Sequence, residues 1–155
     1  MRFALINREI IENDIKYIVN ADLAWDKLYN KTILVAGANG FLPAYLVEFF
    51  LYLNNTVPGI NLTVYGLVRN EKKAKNRFNE YLKYKSFKLV ALTENKIFNK
   101  KIAGIKLNLN TDEAFKNTDV IIDFTVPNCT FDILKIASKL KKRVVIGTTG
   151  FNQKE

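Results

Sequence analysis

Apolar residues in this chain gather into short unbroken runs, and stretches of amphipathic or polar character separate them. The runs are Thr32–Ala36 (TILVA), residues 62–68 (LTVYGLV), 87–92 (FKLVAL), 120–124 (VIIDF) and 144–146, with a weaker one near 105–107. Each has the length and the β-branched content of a buried strand. Between them the spacing predicts helices over 42–53, 71–85, 111–116 and 130–140, a loop over 54–59 and a polar, irregular stretch over 93–104. Strands that are apolar on both faces need cover on both faces, which calls for a parallel sheet with helices above and below. Right-handed crossovers then give a doubly wound, Rossmann-type α/β sheet with strand order 3-2-1-4-5. Ahead of it, residues 1–30 read as a short helical arm. Ile6, Ile10, Ile11, Ile15, Ile18 and Val19 recur at helical spacing, and Leu23, Trp25 and Leu28 are expected to pin the arm to the domain.

The most informative stretch is TILVAGANGFL, residues 32–42. A strand stops at Gly37, a second glycine follows at Gly40, and an apolar helix begins at once. Gly37 lets the chain turn sharply, while Gly40 lets the backbone approach a ligand. The new helix offers unpaired N–H groups and the positive end of its dipole, a place that suits a pyrophosphate. Pro43 is compatible with this reading, because the first helical turn has no internal N–H bond to lose.

The chain has 155 residues, 48% of them hydrophobic and 25% charged, which fits one globular domain with its own core. It has no histidine, which excludes histidine acid–base catalysis and histidine metal ligation, and with one cysteine no metal centre is expected. The single cysteine, the missing basic-then-apolar leader and the absence of a long apolar segment place it in the cytoplasm, off the membrane. The net charge of +9 comes from scattered lysines, with local groups at 72–77 and 139–143. They read as solvated helix faces, so a nucleic-acid partner is not expected.

Two family resemblances overlie this pattern. TILVAGANGFLPAYLVEFFLYLN (32–54), YGLVRNEKKAKNRF (65–78) and the approach DLAW (22–25) resemble the NAD-dependent epimerase/dehydratase family of extended short-chain dehydrogenases. That family commonly carries a third glycine where Pro43 stands. The resemblance implies that Gly37, Asn39, Gly40, Phe41 and Leu42 line a dinucleotide pyrophosphate. DVIIDFTVPNCT (119–130) and VVIGTTGF (144–151), with KLVALTENK (88–96), instead resemble dihydrodipicolinate reductase of lysine biosynthesis. There the resemblance implies that Phe124, Thr125, Gly147, Thr148 and Thr149 face the nicotinamide side. The chain thus reads as one domain, 1–155, with an epimerase-like half over 31–87 and a reductase-like half over 88–155.

At the end of strand two, where many NAD-binding folds hold the ribose with Asp or Glu, the chain has Val68-Arg69-Asn70. An arginine there can meet a 2′-phosphate, so NADP is favoured over NAD; a solvated strand-end arginine is the other reading. Glu71 lies within reach of a ribose, whereas Thr93-Glu94 would sit one strand too far out. No catalytic residue is assigned. The Tyr81…Lys85 spacing falls in the wrong helix, and Asp123 and Cys129 read as structural. The expectation is an NAD(P)-binding Rossmann module of oxidoreductase type without its catalytic parts, with a second chain or oligomer able to complete the site. If it is active, hydride transfer in dihydrodipicolinate reduction or nucleotide-sugar conversion is implied. The alternative is a non-catalytic, truncated, cofactor-sensing or scaffold protein of the same fold.

Overall fold

The computed structural model describes residues 8–91 and 111–152. The short strand near 105–107, the polar stretch over 93–104 and Thr93-Glu94 lie outside them.

Five parallel strands form one sheet, β1 (Thr32–Ala36), β2 (Thr63–Val68), β3 (Phe87–Ala91), β4 (Val120–Asp123) and β5 (Arg143–Ile146). Their order is β3-β2-β1-β4-β5, as the crossover rule predicts. β1 sits at the centre, with Val35 opposite Gly66 on one side and Ile122 on the other. Its side chains alternate between two cores. Ile33 and Val35 enter a layer with Ala44, Val47, Leu51 and Phe78, while Leu34 and Ala36 enter one with Phe115, Ile133 and Ala137. The first layer is covered by α2 (Phe41–Thr56) and α3 (Glu71–Arg77), the second by α4 (Thr111–Asn117) and α5 (Pro127–Lys139). Among the described residues no helix is long and apolar enough to cross a membrane.

The N-terminal arm is α1 (Arg8–Val19), which lies on α2, followed by a 3₁₀ turn, Trp25–Leu28. Ile15 is buried, and Trp25 meets Phe49 with ring centroids 5.8 Å apart. Leu28 also packs on the core, but Leu23 does not pin the arm: it is exposed.

Three helix boundaries differ from the sequence reading, the first being α5, which starts at Pro127 and not at 130 because proline is favoured in the first helical turn. α2 continues through 54–56, because Asn54 caps a distant strand approach instead of opening a loop: its amide accepts from Leu62 N at 2.7 Å and donates to Leu62 O at 2.8 Å. The basic helix expected over 71–85 ends at Arg77. Phe78 is fully buried and stacks edge-on against Phe87 at 5.3 Å, so the chain must turn there to enter β3. Turns carried by Phe78 O and Tyr81 O make that descent, and Tyr81 and Lys85 stand in it well away from β4.

Candidate functional site

β1 ends against the other two central strands in a way that shapes a crevice. Gly37 N and Ala38 N both donate to Leu67 O at 3.0 and 3.2 Å, and Phe124 N donates to Ala36 O at 3.2 Å. The glycine turn is therefore held between the carboxyl ends of β2 and β4, the position where open α/β sheets take ligands. A crevice of about 360 Å³ lies there, lined by Gly37, Asn39, Gly40, Arg69, Lys73 and Thr125 among others. A Cβ on Gly37 would stand 2.4 Å from Phe124 O, and one on Gly40 would stand 2.9 Å from the Pro43 ring. At Gly37, where the obstacle is backbone and φ is +76°, only glycine fits; at Gly40 the Pro43 ring must give way to a side chain.

The turn also carries an unspent polar group. Asn39 donates its amide nitrogen to Asn70 O at 3.1 Å, while its buried Oδ1 has no partner among the described residues. Such an oxygen costs stability unless a ligand donor reaches it. Around it stand cations from the β2–α3 connection. Arg69 and Lys73 line the crevice, and Arg77 makes a long 3.5 Å contact to Asn39 O. Asn70 caps α3 by accepting from Lys73 N at 2.9 Å, which sets the start of that helix. Glu71 pairs with Lys75 one helical turn on and is not among the residues that line the crevice.

On the other side of the crevice, β4 ends in a buried polar cluster. Asp123 has no exposed surface. Its carboxylate accepts from Thr125 Oγ1 at 2.7 Å, Thr125 N at 3.1 Å, Thr130 Oγ1 at 2.5 Å and Thr148 Oγ1 at 3.3 Å. Thr125 N is shared with Thr148 Oγ1 at 2.9 Å, which ties the end of β4 to the segment after β5. Gly147 lies beneath the Phe124 ring, whose atoms stand as close as 2.3 Å to where a Cβ would be.

The structure thus gathers Gly37, Asn39, Gly40, Arg69, Phe124 and Thr125 around one crevice. Gly147 and Thr148 adjoin it through Phe124 and Thr125, and Thr149 is exposed one residue further on. Phe41 and Leu42 differ from the reading. Their side chains point outward, 69% and 57% exposed, and line a second, apolar cavity between α1 and α2. Their backbone amides lie in the first turn of α2, where helix N–H groups have no internal partner. Tyr45 also lines that cavity; burial, then the negative charges of Asp14 and Glu48, push its hydroxyl above the usual phenol range, with Arg77 pulling the other way. Sequence reasoning missed Asn70, Lys73 and Cys129 as crevice residues. Asn70 was findable, since an Asn just before a charged helix start is a cap signal.

Comparison with known proteins places this geometry in a lineage. The family model described as dihydrodipicolinate reductase, N-terminus, matches residues 67–155, more than half of the chain. The chain belongs to that family. The match opens within β2, upstream of the boundary near residue 88 expected from the motifs. Among relatives, the 4-hydroxy-tetrahydrodipicolinate reductase of Pelagibacter ubique is 83% identical over 71 residues, covering 46% of this chain and 28% of that protein. The one from Wolbachia pipientis of Culex pipiens is 49% identical over 47 residues, covering 30% and 18%. The chain thus spans under a third of the length of these reductase relatives. Yeast methylglyoxal/isovaleraldehyde reductase Gre2, solved in complex with NADPH, superposes with a TM-score of 0.52 at 21% identity, over 74% of this chain and 37% of that one. That likeness speaks to the fold. This member of the dihydrodipicolinate reductase family is a Rossmann module of NAD(P)-binding type.

Proposed function

We propose that the chain holds NADP(H), in preference to NAD(H), across the ends of β1, β2 and β4, as the cofactor-holding part of a dihydrodipicolinate-reductase-type enzyme. The observation that carries this is the crevice itself: a turn with glycine at both ends, an orphaned Asn39 Oδ1, flanking cations and Thr125, which hydrogen-bonds the buried Asp123, share one cleft. The residues present fit the group. The Gly37–Gly40 turn and the first amides of α2 take the pyrophosphate, and Arg69 with Lys73 takes the 2′-phosphate. Phe124, Thr125, Gly147, Thr148 and Thr149 stand toward the nicotinamide, which when bound supplies or accepts a hydride. The ionisable side chains lining the crevice are Arg69, Lys73 and Cys129, and none of them has an acid–base partner there among the described residues. A second chain or oligomer is able to complete the substrate site. A reducing, cytoplasmic setting suits the lone half-buried Cys129.

The test is a calorimetric or fluorescence titration of the purified chain with NADPH and NADH. NADPH is expected to bind more tightly. Arg69→Ala is expected to weaken NADPH about tenfold, the worth of one exposed charge-assisted contact, and NADH less than about twofold. Equal losses for the two dinucleotides would show that Arg69 makes no 2′-phosphate contact. No dinucleotide binding at all, with salt-sensitive binding of a nucleic acid in its place, would replace the reading by a polyanion-binding one.

A further inference from the structure

We infer that the apolar cavity between α1 and α2 is a binding site for an organic cation, a quaternary ammonium on an apolar body, held by Asp14 and by the aromatic stripe Phe41, Tyr45 and Phe49. The site is separate from the dinucleotide crevice, and the inference does not depend on that reading.

Phe41, Tyr45 and Phe49 follow one another at intervals of four along α2, so helix geometry sets them on one face. The rings of Phe41 and Tyr45 meet edge-on with centroids 5.4 Å apart. Opposite them α1 brings Asp14, Ile15 and Ile18, and a cavity of about 480 Å³ is left between the two helices. That volume suits a small organic molecule. A stripe that served only to pack α1 would be closed by it. Here Ile15 is buried, but Phe41 and Ile18 remain open to solvent while lining the cavity.

The charge of this cavity runs against that of the chain. The sequence has 24 Lys and Arg against 15 Asp and Glu, yet among the described residues lining the cavity the charged side chain is Asp14. Asp14 is exposed and has no ion-pair partner among the described residues. Tyr45 registers the field. After burial, Asp14 and then Glu48, one turn further along α2, raise its hydroxyl, and the opposing pull of Arg77 is smaller. Tyr45 therefore offers a neutral ring at neutral pH.

An aromatic face attracts a cation within about 6 Å of its centre, more strongly where water is kept away. The polar side chains of the lining are Asp14 and Tyr45, too few to satisfy the three N–H donors of a primary ammonium. A quaternary ammonium has none to satisfy. The neighbouring crevice, with Arg69 and Lys73, selects the opposite sign across Phe124, which lines both.

The experiment is an amide NMR titration of the full chain with three phenols alike in shape. They are 3-(trimethylammonio)phenol, neutral 3-tert-butylphenol and anionic 3-hydroxybenzenesulfonate. The cation is expected to bind about 5- to 30-fold more tightly than the neutral phenol, with the anion weakest and the shifts centred on residues 14–18 and 41–49. A neutral phenol that binds as well as the cation would mean a plain greasy pocket and overturns the inference. So does tightest binding of the anion, although the chain's net charge of +9 favours it elsewhere on the surface. Shifts confined to other residues, or no binding of any probe, overturn it as well. Asp14→Asn, at an exposed position, should weaken the cation about threefold or more and leave the neutral phenol within about twofold. Phe41→Leu keeps apolar bulk and removes a ring, and the same split is expected. Equal losses for both probes in both variants overturn the inference. If sedimentation instead shows a dimer that excludes all three probes, a second copy covers this face and the inference is withdrawn.

Discussion

Gly37→Ala is expected to lower the melting temperature by roughly 5–15 °C and to abolish dinucleotide binding. Two separate costs meet at this position. The backbone sits at φ +76°, where a residue with a Cβ is strained by about 1–3 kcal/mol. The added Cβ would also stand 2.4 Å from Phe124 O, a backbone atom, so no side-chain rotation relieves it. Phe124 N is itself bonded to Ala36 O, so pushing Phe124 away strains the pairing of β1 with β4. An overpacked contact of this kind costs about 1–3 kcal/mol more. Gly59 supplies the control. It has the same φ of +76°, but its nearest neighbour is the Tyr29 ring edge at 3.5 Å. Gly59→Ala should therefore show only the backbone cost, and differential scanning calorimetry of the two variants separates the terms. Equal melting temperatures for both would mean that the contact with Phe124 carries no energy.

That contact is also where the two halves of the chain meet, and it shows what the sequence could and could not reveal. The strands were legible because a buried parallel strand is written as one unbroken apolar run, and TILVA and VIID allow few alternatives. The strand order followed from handedness. The glycine turn was legible for the same local reason, since its geometry is encoded within a few consecutive residues.

Features that depend on distant partners were not legible. The end of α2 is decided by Asn54 reaching Leu62, and the end of α3 by Phe78 reaching Phe87. Nothing in residues 71–85 marks that break, because the lysines there suit a helix or a solvated turn equally well. The Asp123 cluster is harder still. It draws hydroxyls lying 2, 7 and 25 residues along the chain onto one carboxylate, and read alone Asp123 looks like any strand-end acid. The side-chain positions of Phe41 and Leu42 were not legible for a related reason. The motif fixes their backbone at the start of α2, whereas their side chains follow the helix surface toward α1.

Gly40→Asp is the variant in which folding and binding should part company. Gly40 is the N-cap of α2, with φ −67° and ψ 169°, an extended conformation open to any residue. Aspartate is among the best N-caps, and its carboxylate would accept from the first free amides of the helix. Against this gain stand contacts of 2.9 Å with the Pro43 ring, which has to shift, and of 3.2 Å with Gly37 O. The melting temperature is therefore expected to stay within about 4 °C of the parent, a net change of about 1 kcal/mol. Binding should behave quite differently. The carboxylate takes the amides that a pyrophosphate would use and adds a negative charge about 4 Å from the phosphate, a repulsion of about 4 kcal/mol near a protein surface. NADPH affinity should fall by two to three orders of magnitude. Because the fold is kept, the loss cannot be ascribed to unfolding, as it could be for Gly37→Ala. If NADPH bound Gly40→Asp as well as it binds the parent chain, its phosphates would have to lie elsewhere than at the start of α2. The proposed site would then be abandoned.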